Sequence, residues 1–338
     1  MSRVTIAEIA RRANVSKATV SRVLNGKPDV DGSTAARVRR VMEESGYAPS
    51  SRAVSLARGN SRTLGMLVPS LTWPWVSELL QGVVDTLEAA QYGLLLYTVN
   101  RGEESLGQFA AHVSARSFDG LIAIEPPNLL SYIEQLYQRG LPVVLIDDRG
   151  HHPGFPSVVT TNQDGGAQAA RHLLECGRRK LACVAGPQEY GCTRDRLRGF
   201  REVIEEAGLP FSERDVRSGD FTESSGRKAM EELLTENPSI DGVFVQNDLM
   251  AFGALRQLRE TGITVPADIA VVGFDDIPAA AQVVPALTTV AQPSYEMGRA
   301  AALLLLDHLA GEPLPLDPVV LPTDLVVRRS TVAADLSG

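Results

Sequence analysis

The chain of 338 residues is 44% hydrophobic, 22% charged and 5% aromatic, a globular composition that excludes a disordered, collagen-like or small disulfide-stapled polypeptide and leaves room for two or three domains. No apolar run reaches the roughly 18 residues that cross a bilayer, and MSRVTIAEIARRANVSK has neither the apolar core nor the cleavage site of a secretory leader, so a cytoplasmic protein without a membrane partner is expected. The net charge of −8 argues against nucleic acid only until it is divided: residues 1–60 hold 11 Lys or Arg against 5 Asp or Glu, a balance of +6, and residues 61–338 hold 22 against 36, a balance of −14. Cys176, Cys183 and Cys192 are odd in number and form no CxxC pair, which suggests neither a disulfide framework nor a zinc site.

The basic head opens with Thr5-Ile6-Ala7-Glu8, which reads as a capping box: the Thr5 hydroxyl accepts from the Glu8 amide while the Glu8 carboxylate reaches back. Ile6, Ile9, Ala10 and Ala13 give the short helix one apolar face, and Asn14 suits the left-handed corner that follows. Ser16 then caps a second helix over 17–25, with Val20, Val23 and Leu24 inward and Lys17, Ala18, Ser21, Arg22 and Asn25 outward. Asp31 caps a third helix over 33–45, with Val38, Val41 and Met42 inward and Gly46 as its C-terminal stop. Two short helices joined by a tight turn, on a positively charged segment, read as a helix-turn-helix whose second helix enters the major groove. The competing reading is a plain three-helix packing module.

VTIAEIARRANVSKATVSRVLNGKPDV followed by GYAPSSRAVSLARG resembles the DNA-binding head and hinge of the LacI/GalR family of bacterial transcription repressors. The likeness continues through VVLIDDRG, AGPQ, DRLRGF, GDFTESSG, QNDLMAFGAL, VPADIAVVGFDD, ALTTVAQP and LVVRRST, in order and over essentially the whole chain. It implies that Lys17, Ala18 and Arg22 face bases with Ser21 and Asn25 beside them, and that Thr5, Ser16, Thr19 and Tyr47 meet phosphates. Arg22 can address a guanine bidentately. Ala18 offers at most an apolar contact to a thymine methyl. The hinge, with SSRAVSLAR at 50–58, is too short for a stable lone helix. In the family such a segment pairs with the partner's copy in the minor groove, where Ala53, Leu56 and Ala57 would make contact and Leu56 would wedge between base pairs. A plain linker is the alternative.

From residue 62 apolar strands alternate with amphipathic helices. Strands are expected at 64–68, 94–99, 120–124, 143–146, 158–160, 181–185, 242–245 and 269–273, apolar enough to be covered on both faces as in parallel α/β sheets. Such sheets bind ligands beyond the carboxyl ends of their strands. That rule selects Ser70, Asn100, Glu125, Asp147, Asn247, Asp248, Asp275 and Asp276. The resemblance implies a periplasmic-binding-protein-like core of two doubly wound lobes. The expected organisation is a head at 1–46, a hinge at 47–61 and a core at 62–338, with lobe 1 about 62–160 and 292–323 and lobe 2 about 161–291 and 324–338.

In the cleft between lobes the family's effector positions map to Asp147, Arg194 or Arg196, Phe221, Asn247, Asp275 and Gln292. Carboxylates, amides and an Arg fork suit a polyhydroxylated ligand. Trp73 and Trp75, the two tryptophans, follow the first strand and can face a sugar ring, stack on a purine, or simply staple a helix start beneath Pro74. No GxGxxG, GxxxxGK[ST], HExxH or GxSxG occurs, so no cofactor or catalytic reading has a motif behind it. His151-His152 reads as a solvated loop, and Asp275-Asp276 has no nucleophile beside it. The expectation is an α/β regulator with an all-α head. It acts as a homodimer on palindromic operator DNA, switched by a small polar effector, most simply a sugar or short oligosaccharide acting as inducer. A purine corepressor, or a sugar-binding protein or enzyme on the same lobes, is the alternative.

Overall fold

The computed structural model describes residues 4–24, 29–47, 60–98, 103–124, 129–147, 154 and 156–332. The head is three helices, α1 (Ile6–Arg12), α2 (Lys17–Leu24) and α3 (Gly32–Glu44). Their inward residues Ile9, Ala10, Ala13, Val20, Val23, Ala35, Val38 and Met42 make one buried cluster drawn entirely from the head. Asn14 takes the left-handed conformation (φ 50°) between α1 and α2, as does Gly46 (φ 58°) behind α3. The capping box is only half made. The Thr5 hydroxyl accepts from the Glu8 amide at 3.4 Å, but the Glu8 carboxylate accepts from Arg11 and Arg12, at 2.6 and 2.9 Å. Two guanidiniums at one helical turn outcompete one backbone N–H.

The first sheet holds β1 (Thr63–Val68), β2 (Gly93–Thr98), β3 (Gly120–Ile124), β4 (Val143–Ile146), β5 (Ser157–Thr160) and β11 (Val319–Leu321), in the order β11-β5-β4-β3-β1-β2 and all parallel. Alternation along these strands sends residues to two faces. Leu64, Met66, Val68, Ile122 and Ile124 pack under α4 (Pro74–Ala89) and α11 (Ser294–Ala310), while Leu67, Leu121, Ala123, Val143 and Leu145 meet Phe109 of α5 (Glu103–Ser114) and Ile133 of α6 (Leu130–Gln138).

The second sheet repeats the plan with β6 (Leu181–Ala185), β7 (Val216–Ser218), β8 (Gly242–Val245), β9 (Ala270–Asp275), β10 (Thr288–Ala291) and β12 (Asp324–Val326), ordered β12-β10-β9-β8-β6-β7. Its helices are α7 (Asn162–Glu175), α8 (Gly191–Glu206), α9 (Glu223–Glu236) and α10 (Asp248–Glu260). β12 runs antiparallel to β10, so this sheet is not wholly parallel as expected. β7, β10, β11 and β12 are additions to the expected strands.

The chain passes between the sheets three times: after β5, after β10 and between β11 and β12. Thr161 and Thr323 tie two of these passages together, hydroxyl to hydroxyl at 2.9 Å, with the Thr323 amide donating to Thr161 Oγ1 at 2.9 Å. α7 and α8 lie backbone to backbone: a Cβ on Gly166 would sit 2.0 Å from the Arg196 carbonyl oxygen and one on Gly199 1.8 Å from that of Gln163. Among the described residues no helix is long and apolar enough to cross a membrane, and no group of His, Cys, Asp and Glu could hold a metal ion. His151-His152 lies outside the described residues.

Candidate functional site

Two polar surfaces stand out, one on the head and one between the sheets. On the head, the Ser16 hydroxyl accepts from the Thr19 amide at 3.0 Å and meets the Thr19 hydroxyl at 2.9 Å, which seats the first turn of α2. The next residues around the helix, Lys17, Ala18 and Arg22, are exposed, whereas Thr19 and Ser21 are half-buried. Arg22 is 60% exposed, and its Nη1 lies 2.8 Å from Asp29 Oδ2. Thr5 is exposed at the start of α1, and Tyr47 packs against the head's core. The expected contacts Asn25, Ala53, Leu56 and Ala57 lie outside the described residues.

Between the sheets a cleft is lined by Trp73, Pro74, Trp75, Asp147, Cys192, Arg196, Phe221, Asn247, Leu249, Asp275 and Gln292. Eight of the expected effector residues therefore meet in one cavity, and they come from both sheets. Arg196 shows why the cleft holds its shape. Its Nε donates to Asn162 Oδ1 at 2.8 Å, its Nη1 donates to the Gln246 carbonyl at 2.7 Å and lies 3.9 Å from Asp275 Oδ1, and its guanidinium carbon rests 3.6 Å from the centre of the Phe274 ring. Asn162 in turn donates to Asp147 at 2.8 Å. Gln292 donates to Asp275 at 2.7 Å and accepts from the Thr160 hydroxyl at 3.3 Å, so the network crosses from one sheet to the other.

Of the two arginines in question, Arg196 faces the cleft. Arg194 points elsewhere and donates to the Gln188 carbonyl at 2.6 Å. Two residues apart on α8 they are some 200° around the helix, and only one can face inward. Ser70 lies outside the lining, its hydroxyl engaged by Thr72. Glu125 and Asn100 fall outside the described residues. Asp276 pairs with Arg328 at 2.7 Å behind the cleft.

Aromatic rings close one side of the cleft. Trp73 packs on the hydrophobic cores of both sheets, meeting Phe221 at 5.9 Å and Tyr190 at 6.1 Å between ring centres, each nearly edge to face. Phe221 reaches this place through a left-handed backbone (φ 66°), against Gly186, where a Cβ would sit 2.3 Å from the Phe221 ring. Asp147 (φ 63°) and Asp275 (φ 107°) are held likewise. Such conformations cost non-glycine residues about 1–3 kcal/mol each and persist where surrounding structure fixes them. Tyr190, Cys192, Asn162 and Gln246 were not expected. None follows an apolar strand directly, except Gln246, which stands between the end of β8 and Asn247.

Burial raises the Asp275 carboxyl to about 7 against the pull of the Arg196 guanidinium and the Gln292 amide. Its neighbour Asp248, wholly buried where it accepts from Thr289 Oγ1 at 2.7 Å and the Ile277 amide at 2.9 Å, is also pushed well above the carboxylate range, first by burial and then by the charge of Asp275. The cleft thus offers paired donors and acceptors on largely buried side chains drawn from both sheets.

Known proteins share this fold over nearly the whole chain. Residues 5–50 match the family described as bacterial regulatory proteins, lacI family, and residues 170–331 match a periplasmic binding protein-like domain. The HTH-type transcriptional regulator CelR of Thermobifida fusca is 36% identical, over 97% of this chain and 98% of that protein. A solved transcriptional regulator CelR–cellobiose complex superimposes with a TM-score of 0.76 at 34% identity, covering 97% of this chain and 100% of that one. The lac repressor dimer bound to operator and the anti-inducer ONPF superimposes with a TM-score of 0.88 at 28% identity, covering 98% and 100%. These relatives are regulators of transcription and not enzymes. With a helix-turn-helix head, a two-sheet core and identity sustained along its length, this chain belongs to the lacI family of bacterial transcriptional regulators.

Proposed function

We propose that the protein works in the cytoplasm as a homodimeric repressor on a palindromic operator, and that a neutral saccharide of one or two rings, bound in the cleft, acts as its inducer. The observation that carries the ligand class is the lining itself. Asp147, Arg196, Asn247, Asp275 and Gln292 bring carboxylates, amides and a guanidinium into the same lining as the rings of Trp73 and Phe221. Hydroxyl groups satisfy such donors and acceptors, and aromatic rings cover the apolar face of a pyranose. The cellobiose held by the CelR relative supports this chemistry, and the operator-bound lac repressor dimer supports two heads reading two half-sites.

In this reading Lys17, Ala18 and Arg22 face bases, with Ser21 and Asn25 alongside. Thr5, Ser16, Thr19 and Tyr47 contact phosphates, and Ala53, Leu56 and Ala57 of the hinge enter the minor groove. The lobes follow the sheets, lobe 1 about 62–160 and 292–323 and lobe 2 about 161–291 and 324–338. Effector closes the lobes and shifts how the two protomers' first lobes abut, so the hinges no longer pair. Linkage requires operator and effector to weaken each other by the same factor.

The test combines a thermal-shift panel of cellobiose, ribose, other mono- and disaccharides, hypoxanthine and guanine with a gel shift on duplexes selected from a randomised palindromic library. A saccharide that raises the melting temperature and releases the duplex is the expected result; at 100 times its dissociation constant it adds about 2.7 kcal/mol of stability. A purine that strengthens the DNA complex while no saccharide acts would replace the inducer by a corepressor.

A further inference from the structure

The carboxylates of the head have distinct employments. Glu8 is held by Arg11 and Arg12, and Asp31 caps α3 by accepting from the Thr34 amide at 3.0 Å. Asp29 does neither. It sits at the entry to α3, 52% exposed, with its Oδ2 2.8 Å from the Nη1 of Arg22 on the outward face of α2. A surface pair of this kind adds little to folding, and an acidic group beside a DNA-reading helix repels phosphate. We infer that Asp29 is a positioning residue for base recognition: it orients the Arg22 guanidinium toward a guanine and lowers the attraction of Arg22 for phosphate.

The geometry of the fork gives the reason. A free arginine side chain loses rotamer entropy when it is fixed, a cost that a single bidentate contact must overcome. With Nη1 engaged by Asp29, the Nε–Nη2 edge remains to offer two parallel N–H donors, the pattern that guanine O6 and N7 accept. The same carboxylate offsets the Arg22 charge wherever no guanine is presented. A phosphate anywhere along the duplex then gains less from Arg22, while a correctly placed guanine gains from its preset orientation. Asp29 thereby exchanges general affinity for discrimination.

The inference rests on Arg22 reading a base, and its test separates the two. Full-length wild type, Arg22→Ala, Asp29→Asn and Asp29→Ala are titrated on the library-selected duplex, on its single-pair substitutions and on an unrelated duplex, at several salt concentrations. Arg22→Ala should erase the preference at one base pair, worth about fivefold to more than a hundredfold. Both Asp29 variants should cut the preference at that same pair by roughly twofold to fivefold. On unrelated DNA they should bind more tightly, with a salt slope steeper by up to about one. Melting of the protein should be unchanged. An unaltered preference in the Asp29 variants, or an equal loss at every pair together with lower melting, overturns the inference and leaves Arg22 as a base reader. No change of preference in Arg22→Ala overturns both.

Discussion

Arg22 and Arg196 carry the same guanidinium into opposite circumstances. Arg22 is 60% exposed with Asp29 as its ionic partner, while Arg196 is 4% exposed, spans Asn162, Gln246 and Asp275 and lies over Phe274. On the head, the exposed arginine is proposed to meet a partner that arrives from outside, so its removal is expected to show in binding alone. In the cleft Nε and Nη1 of the fork are already engaged by protein, and the worth of this side chain includes the shape and polarity that it fixes for a ligand. Removing each should separate a recognition residue from one on which folding itself depends.

The largest expected effect is at Arg196→Ala, which strands the Asn162, Gln246 and Asp275 acceptors in a buried site. Breaking one partner of a buried pair costs about 3–5 kcal/mol, to be read as a lower denaturation midpoint together with loss of effector binding. Arg22→Ala should leave that midpoint within about 0.5 kcal/mol. An equal loss in the two would erase the distinction.

Asp275→Asn tests the electrostatic side of the same contrast. The folded carboxyl, raised to about 7, binds a proton that the unfolded chain, at about 3.9, releases. Its contribution to stability is therefore complete below pH 4 and is lost as pH rises toward 7. Denaturation profiles of wild type and variant should diverge across that window, the wild type falling relative to the Asn form as pH rises. Parallel profiles would show that Asp275 does not hold its proton.

Trp73→Ala removes the ring that faces Phe221 and Tyr190, and should weaken effector binding by roughly twofold to tenfold while leaving operator affinity in the absence of effector close to wild type. An unchanged isotherm would make Trp73 a staple of α4 alone. The smallest effects belong to the head's own caps. Asp31→Ala should lower head stability by removing the acceptor of the Thr34 amide, measured by circular dichroism, and Glu8→Gln by less, because its pairs with Arg11 and Arg12 are solvent-exposed.

Much of the fold can be read from runs of apolar residues, since strands buried on both faces leave no polar interruption; β3, β4, β6 and β8 begin and end where the hydrophobicity does. β10 escapes for a specific reason. Thr288 and Thr289 are fully buried, with hydroxyls spent on Thr331, the Arg328 carbonyl and Asp248, so a core strand carries polar letters. β7, β11 and β12 are three-residue edge strands without a buried face to advertise them. In the cleft, strand ends disclose Asp147, Asn247 and Asp275, because a parallel sheet delivers its loops to one rim. Asn162, Tyr190 and Cys192 belong to helix starts, where periodicity is silent. The choice of Arg196 over Arg194 was available: Gly199 and Phe200, three and four residues on, share the face of Arg196 and are buried.

The three passages between sheets also govern how the protein can be made. β11, which completes the first sheet beside β5, is separated from it by all of the second sheet except β12, and α11, which covers β1 and β3, follows β10. A nascent chain has the head's whole hydrophobic cluster within its first 47 residues, yet neither sheet has all its strands before residues 321 and 326 are synthesised. Domains generally fold as units during synthesis, N-terminal first. Here a ribosome exposes a complete DNA-reading head long before an effector cleft exists to control it, and the two sheets gain their last strands almost together, at residues 321 and 326.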